Sequence, residues 1–349
     1  MMKSTLGLFI LAALLIPILS LGVQHNLDEL AKWKTECVGR YQVSVPGNVD
    51  IAIARFGISA HAGFSDGQPA PFSQLSYLGE ISIFSFASGA DIIKFKNNNI
   101  LSQKKMKKEL LDSSDEKKKK WGREMKGLKY DTPTLFGWDG EDRYPALNFI
   151  LSNKIISYSI NNYNDATKDL NKKNFNNFLN NFNPRTLHEI PTQPGVCIPY
   201  GFIADDGTAP RDIGVTMRLI DHPDVEIFFR DTSGYLTGGT LHSPKDEIEY
   251  FWTIMYQKYT KLTEADFWGY RSIKMGGQAG KGMFATIHRY DDSIDYGYIA
   301  IVDDIPNTPS QMLYVIRTAA RAKGEPISKD ELKDIAEKIM SSVKPHPVQ

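Results

Sequence analysis

Residues 33–46 read WKTECVGRYQVSVP and residues 195–207 read GVCIPYGFIADDG. They hold Cys37 and Cys197, the only cysteines among 349 residues. Each stretch opens a similar succession of elements. In the first, Tyr41, Val43 and Val45 alternate with polar residues, the period of a half-buried strand, and Ile51, Ile53 and Phe56 continue less strictly. A Gly-, Pro- and Ser-rich loop is expected from Ser59 to Ser76, then a strand through Ile81, Ile83 and Phe84. A helix is expected from Ala90 into a lysine-rich segment. Three strands follow in TPTLFGWDG, YPALNFILSN and KIISYSINNY. Phe175, Phe178, Leu179 and Phe182, spaced i, i+3, i+4 and i+7, then mark one face of a closing helix.

The segment NPRTLHEIPTQPG (183–195) has three prolines and no apolar period, which marks a boundary. Beyond Cys197 the plan returns. Strands are expected in DIGVTMRLID and VEIFFRDTSG, and a helix from Ser243–Pro244 with Ile248, Phe251, Trp252, Met255 and Tyr259 on one face. Strands in GKGMFATIHRY, DYGYIAIVDD and QMLYVIRTAAR precede a last helix with Ser328 and Glu331 as a capping box. The expected fold class is α+β, with two similarly organised domains, each a mainly antiparallel sheet with two helices. The expected boundaries are 1–22 for a signal peptide or membrane anchor, 23–183, a linker over 184–195, and 196–349.

Lys plus Arg and Asp plus Glu both number 41, so no net charge draws the chain to nucleic acid or to anionic membranes. Lys3 followed by STLGLFILAALLIPILSLG has the form of a secretory signal, cleaved after Gly22 or retained as an anchor over residues 5–23. Export makes one Cys37–Cys197 disulfide the first expectation, with two buried free thiols as the alternative. Two cysteines without paired histidines do not make a structural zinc site.

No pattern of catalysis assembles. GGQAGKG (276–282) has the wrong spacing for a phosphate loop and reads as a turn between strands. Gln103–Lys120, with eight lysines and four acids, reads as a solvated helix with a break at DSSD. The clusters Asp139/Glu141/Asp142, Asp205/Asp206, Asp291/Asp292/Asp295 and Asp303/Asp304 sit where strands meet turns, where Asp bonds to local backbone. There is no G-x-S-x-G elbow and no HExxH motif, and none of the seven histidines pairs at i, i+4. The chain is read as a non-enzyme with no cofactor and no metal. An unrecognised hydrolase and an exported binding protein for a small ligand or envelope component remain as alternatives.

The two opening motifs, ECVGRYQVSVP and GVCIPYGFIADDG, resemble those of the two-domain immunity proteins that neutralise type VI secretion lipase effectors of class 4. The resemblance implies a periplasmic protein of a Gram-negative bacterium that binds a cognate lipase or phospholipase. It implies two domains acting as a claw, blocking lid motion or substrate access, with no catalytic residue. Candidate contacts are aromatic and charged residues in three loops: Phe64 and Phe72; Trp138, Asp139, Glu141 and Arg143; and Trp268, Tyr270 and Arg271.

Overall fold

A computed structural model describes residues 32–56, 59–70, 72–160, 165–233, 243–256, 259–264, 269–302 and 310–346. The expected signal or anchor over 1–22, Trp268 and the Asp303/Asp304 pair lie outside the described residues.

The first half runs β1 (Trp33–Val38), β2 (Tyr41–Pro46), β3 (Val49–Ile51), β4 (Ile53–Arg55), β5 (Ser59–Gly63), β6 (Gln74–Tyr77), β7 (Glu80–Ser85), α1 (Gly89–Leu111), α2 (Glu116–Glu124), β8 (Leu128–Asp131), β9 (Leu135–Trp138), β10 (Ala146–Leu151), β11 (Lys154–Ser159), α3 (Lys168–Asn181) and β12 (Phe182–Pro184). The second runs β13 (Gly195–Ile198), β14 (Gly201–Ala204), β15 (Arg211–Leu219), β16 (Val225–Ser233), α4 (Pro244–Tyr250), β17 (Lys261–Glu264), β18 (Arg271–Met275), β19 (Gln278–His288), β20 (Ile294–Val302), β21 (Ser310–Arg317), α5 (Lys329–Ser342) and β22 (Lys344–Pro345).

The α+β class is as expected, but the halves do not build separate sheets. One long sheet runs β17-β19-β20-β21-β16-β15-β6-β7-β11-β10-β9-β8. β15 is the seam. It pairs antiparallel with β16 on one side and with β6 and β3 of the first half on the other. All nine of its residues are buried. A central strand covered on both faces has no solvent side, so its polar residues must find partners. Among the named pairs of this sheet, β4 with β7 is parallel and the rest are antiparallel.

Period-two alternation sorts the side chains onto the two faces. Leu147, Ile156, Tyr158, Ile213, Val215, Phe229, Tyr298, Ala300, Leu313 and Val315 point to a common face, where Phe175 and Phe178 of α3 and Leu332, Ile335 and Ile339 of α5 complete one core spanning both halves. The opposite face carries two separate clusters. Phe136, Trp138 and Ile155 meet Ile92 and Phe95 of α1. Ile287, Ile299, Ile301, Tyr314 and Ile316 meet Ile248, Phe251 and Trp252 beside α4.

Two local expectations change and one holds. The loop expected over Ser59–Ser76 contains β5 and β6, recruited by edges that the local composition does not reveal. The lysine-rich helix breaks at DSSD as expected, and the Asp115 carboxylate caps α2 by accepting from the Lys117 N–H at 2.8 Å. The helix from Ser243 stops at Tyr250 and widens into a π-turn over Phe251–Met255, closed by the Tyr256 N–H on the Phe251 carbonyl at 2.8 Å. The wider turn brings Tyr256 onto the buried face with Phe251 and Trp252; the Met255 side chain lies outside the described residues.

Candidate partner-binding surfaces and the joint that holds them

Each half opens with a hairpin, and the two hairpins meet. The β1–β2 connection is Gly39–Arg40, and Gly39 has φ +59. A Cβ at Gly39 would lie 2.2 Å from Asp231 Oδ2, so glycine is required both for conformation and for space. The Gly39 N–H donates to the Cys197 carbonyl at 2.9 Å, and the Cys197 N–H donates back at 2.8 Å. The Cys37–Cys197 disulfide, with Cα atoms 5.6 Å apart, staples this contact across 160 residues. Both cysteines are buried with Phe202.

The closing strands are exchanged. β12, which ends the first half, adds to the β13–β14 hairpin of the second. β22, which ends the second half, adds to the β1–β2 hairpin of the first. Three buried ion pairs reinforce the exchange. Arg40 grips Asp205 with both terminal nitrogens, at 2.5 and 2.6 Å. Arg185 pairs with Glu36 at 2.5 Å and donates to the carbonyls of Cys37 and Ile198. Arg211 holds Asp231 at 2.5 and 2.9 Å, and the Arg40 N–H adds a third bond to that carboxylate at 2.8 Å. Burial pushes the Asp231 carboxyl up from its ordinary range, against the downward pull of Arg211 and Arg40. Burial pushes the nearby Tyr41 phenol up to about 12, and its oxygen accepts from Gln311 Nε2 at 2.8 Å. These side chains are spent on one another, which makes the joint a structural lock.

The loop residues singled out in the sequence fall in different settings. Phe64 is buried beneath the Arg218 guanidinium, 4.2 Å from its ring centroid. Phe72 packs on Phe228, Phe251 and Tyr314, with centroids 5.9, 5.6 and 5.6 Å away. Trp138 belongs to the core cluster under α1. Arg143 is buried with its guanidinium 4.6 Å from the Trp121 ring centroid. Rings and guanidinium in these positions hold the fold together. Asp139, Glu141, Tyr270 and Arg271 stand nearer the surface. Asp139 pairs with Lys129 at 2.7 Å; burial pushes its carboxyl up, but that pair and the Glu141 N–H hold it below its ordinary range. Glu141 is held between Lys126 and Lys172, which bring it down to about 2. The Tyr270 hydroxyl donates to Glu249 at 3.2 Å. Arg271 lies 3.6 Å from Glu337 and lines a cleft of about 560 Å3 between β18 and α5. Phe64 lies under Arg218, Trp138 joins the cluster under α1, and Phe72 and Tyr270 pack against the cluster beside α4.

A cleft that the sequence reading missed lies beside the joint. A cavity of about 320 Å3 is lined by Arg55, Phe56, Phe64, Ser85, Lys154 and Tyr200, among others. It adjoins a second of about 500 Å3, which shares Asn153, Lys154 and Tyr200 and continues to Leu187 and Glu189. Tyr200 follows Pro199 in the β13–β14 turn and has φ +63, a conformation glycine normally takes. A bulky L-residue there costs roughly 1–2 kcal/mol. Its ring faces the Lys154 ammonium, 4.5 Å from the centroid. The dipeptide Pro199–Tyr200 was the available signal, a turn with tyrosine at the glycine position. Among the described residues, no group of three or more His, Cys, Asp or Glu side chains is placed to hold a metal ion.

Residues 189–348 match the family model described as the Tle cognate immunity protein 4 C-terminal domain. None of the curated proteins matches the chain significantly. Two solved structures share the fold over nine-tenths of the chain. One is the immunity protein TplEi of the T6SS from Pseudomonas aeruginosa complexed with "L" peptide, with TM-score 0.56, 14% identity, 91% of this chain and 100% of that chain covered. The other is the Tle4-Tli4 complex, with TM-score 0.60, 15% identity, 92% of this chain and 99% of that chain covered. At these identities the likeness shows the fold. Residues 189–348 are thus similar to the C-terminal domain of the Tle cognate immunity proteins.

Proposed function

We propose that this protein binds a cognate lipase or phospholipase effector of the type VI secretion system and inhibits it by blocking lid movement or access to the active site. The observation that carries the reading is the family match over residues 189–348. The fold shared with the chain matched in the Tle4-Tli4 complex supports it. So does the joint. An inhibitor supplies surface rather than chemistry, and a stable complex buries about 1,200–2,000 Å2 in total. The two halves, divided at 184–195, are held by a disulfide, by the buried Arg40–Asp205 and Arg185–Glu36 pairs and by the Arg40 N–H on Asp231, so they meet a partner already arranged and the ordering cost of binding stays small. In this reading the halves act as the two arms of a claw, with Asp139, Glu141, Tyr270 and Arg271 at the rims.

The site of action is the periplasm. The charged and apolar pattern of residues 1–22 supports export, and a buried disulfide suits an oxidising compartment. The test is to mix the purified, oxidised protein with a class-4 lipase effector, then measure complex formation and lipid hydrolysis. A complex with suppressed hydrolysis is expected. No complex at micromolar concentrations, with hydrolysis untouched, overturns the reading.

A further inference from the structure

The cleft beside the joint has an unusual charge arrangement. β4 and β11 both flank β7, and the registers place Arg55 and Lys154 opposite the same residue, Ser85. Arg55, Ser85 and Lys154 therefore form a row across three neighbouring strands. With strands about 4.8 Å apart, the outer Cα atoms are about 10 Å apart. All three residues line the same cavity.

Neither cation has a carboxylate partner among the described residues. Arg55 donates to the Ser65 carbonyl at 2.7 Å. Lys154 donates to the Asn153 amide oxygen at 3.0 Å and faces the Tyr200 ring. The acid lining the same cavity, Asp50, is already engaged. It accepts from the Ser65 N–H and hydroxyl, at 2.8 and 2.7 Å, and pairs with Arg218 at 3.3 Å. Burial holds the Lys154 ammonium below its ordinary range. Phe56, Phe64, Phe86 and Tyr200 supply apolar wall. This contrasts with the joint a few residues away, where each buried Arg has its carboxylate.

We propose that this cleft seats an extended acidic segment of the partner, with a carboxylate held between Arg55 and Lys154 over Ser85 and a neighbouring apolar side chain against the Phe56, Phe86 and Tyr200 rings. The segment is a loop of the effector, so this step rests on the inhibitor reading above. The Tyr200 conformation fits it. A turn that would be relaxed with glycine keeps a strained tyrosine, and that ring walls both cavities and covers the lysine.

The test separates the cleft from the inhibitor reading. A fluorescein-labelled hexapeptide alternating leucine and glutamate is titrated against the full oxidised chain and followed by anisotropy. Saturable binding is expected. Lys154→Gln, Arg55→Gln and the glutamine version of the peptide should each weaken it at least about tenfold, the scale of one charge-assisted hydrogen bond. Thermal unfolding of each variant confirms that the fold is intact. No saturable binding at millimolar peptide, or binding that these changes leave alone, overturns the proposal. In parallel, Lys154→Glu is tested for complex formation with the effector. Wild-type affinity in that variant removes the cleft as the effector's seat while leaving the inhibitor reading standing. Peptide binding without any effector complex removes the inhibitor reading and keeps the acidic-segment chemistry of the cleft.

Discussion

The joint and the cleft lie side by side where the two halves meet, yet they treat charge in opposite ways. In the joint, Arg40, Arg185 and Arg211 are buried and each is matched to a carboxylate, Asp205, Glu36 and Asp231. In the cleft, Arg55 and Lys154 face open volume with only a carbonyl, an amide oxygen and an aromatic ring. A buried charge left unpaired is strongly destabilising, so the joint tolerates no vacancy. A half-buried cation at a cleft mouth is tolerated because water still reaches it. The same backbone neighbourhood thus separates a part that holds the fold from a part free to meet a partner.

That contrast can be broken first at the staple. Replacing both Cys37 and Cys197 by Ser should lower unfolding free energy by about 5 kcal/mol, from the 160-residue loop it closes in the chain-entropy model. Urea denaturation of the oxidised protein and the double variant measures this. A change below about 1 kcal/mol would show that the ion pairs alone hold the halves. Next comes Asp231→Ala, which leaves Arg211 buried without its carboxylate. It should cost about 3–5 kcal/mol by the same measurement.

A smaller, pH-dependent effect is expected at His346. Its backbone N–H donates to the Arg40 carbonyl at 2.6 Å, and ring Nε2 meets the Gln193 carbonyl at 3.0 Å, so the ring helps to tie the residue after β22 to the linker. Burial holds the imidazole below its ordinary value of about 6.5, with Arg185 and Arg40 adding to the effect and the Gln193 carbonyl opposing it. Below that value the unfolded chain binds a proton that the folded chain resists, so stability falls as pH drops through 6.5 and is recovered above it. Unfolding midpoints from pH 8 to pH 5 should show this slope in the wild type and lose it in His346→Gln.

The smallest stability effects are expected in the cleft. Lys154→Gln removes a cation without a carboxylate partner and should change unfolding free energy by less than about 0.5 kcal/mol. In Tyr200→Gly, relief of the positive φ offsets lost packing and added chain entropy, leaving a net change under about 1 kcal/mol. A loss of several kcal/mol at either site, seen in the same denaturation series, would make the cleft part of the lock and erase the contrast.

Much of the architecture was legible in local patterns. Period-two runs located β2, β7, β10, β11, β15, β16, β20 and β21, and the Ser328 capping box located α5, because strand and helix periods are written in neighbouring residues. β5 and β6 were not legible. Their four or five residues carry little pattern and become strands only because partner edges lie alongside. The candidate contacts divide for a similar reason. Phe64, Trp138 and Arg143 look like presented aromatic and charged groups in a loop sequence, but burial is decided by what packs over them.

The sequence by itself determined the α+β class, the doubled plan and the matched positions of the two cysteines, since composition, periodicity and spacing are properties of the linear chain. Tertiary structure alone decided that β15 joins the halves into one sheet, that β12 and β22 are exchanged between hairpins, and that Arg55 and Lys154 share a row with Ser85. These are pairings between residues more than 300 positions apart at the extreme, as for Tyr41 and Pro345. Register between distant strands is fixed by the packing of the whole core, which no local stretch of sequence contains.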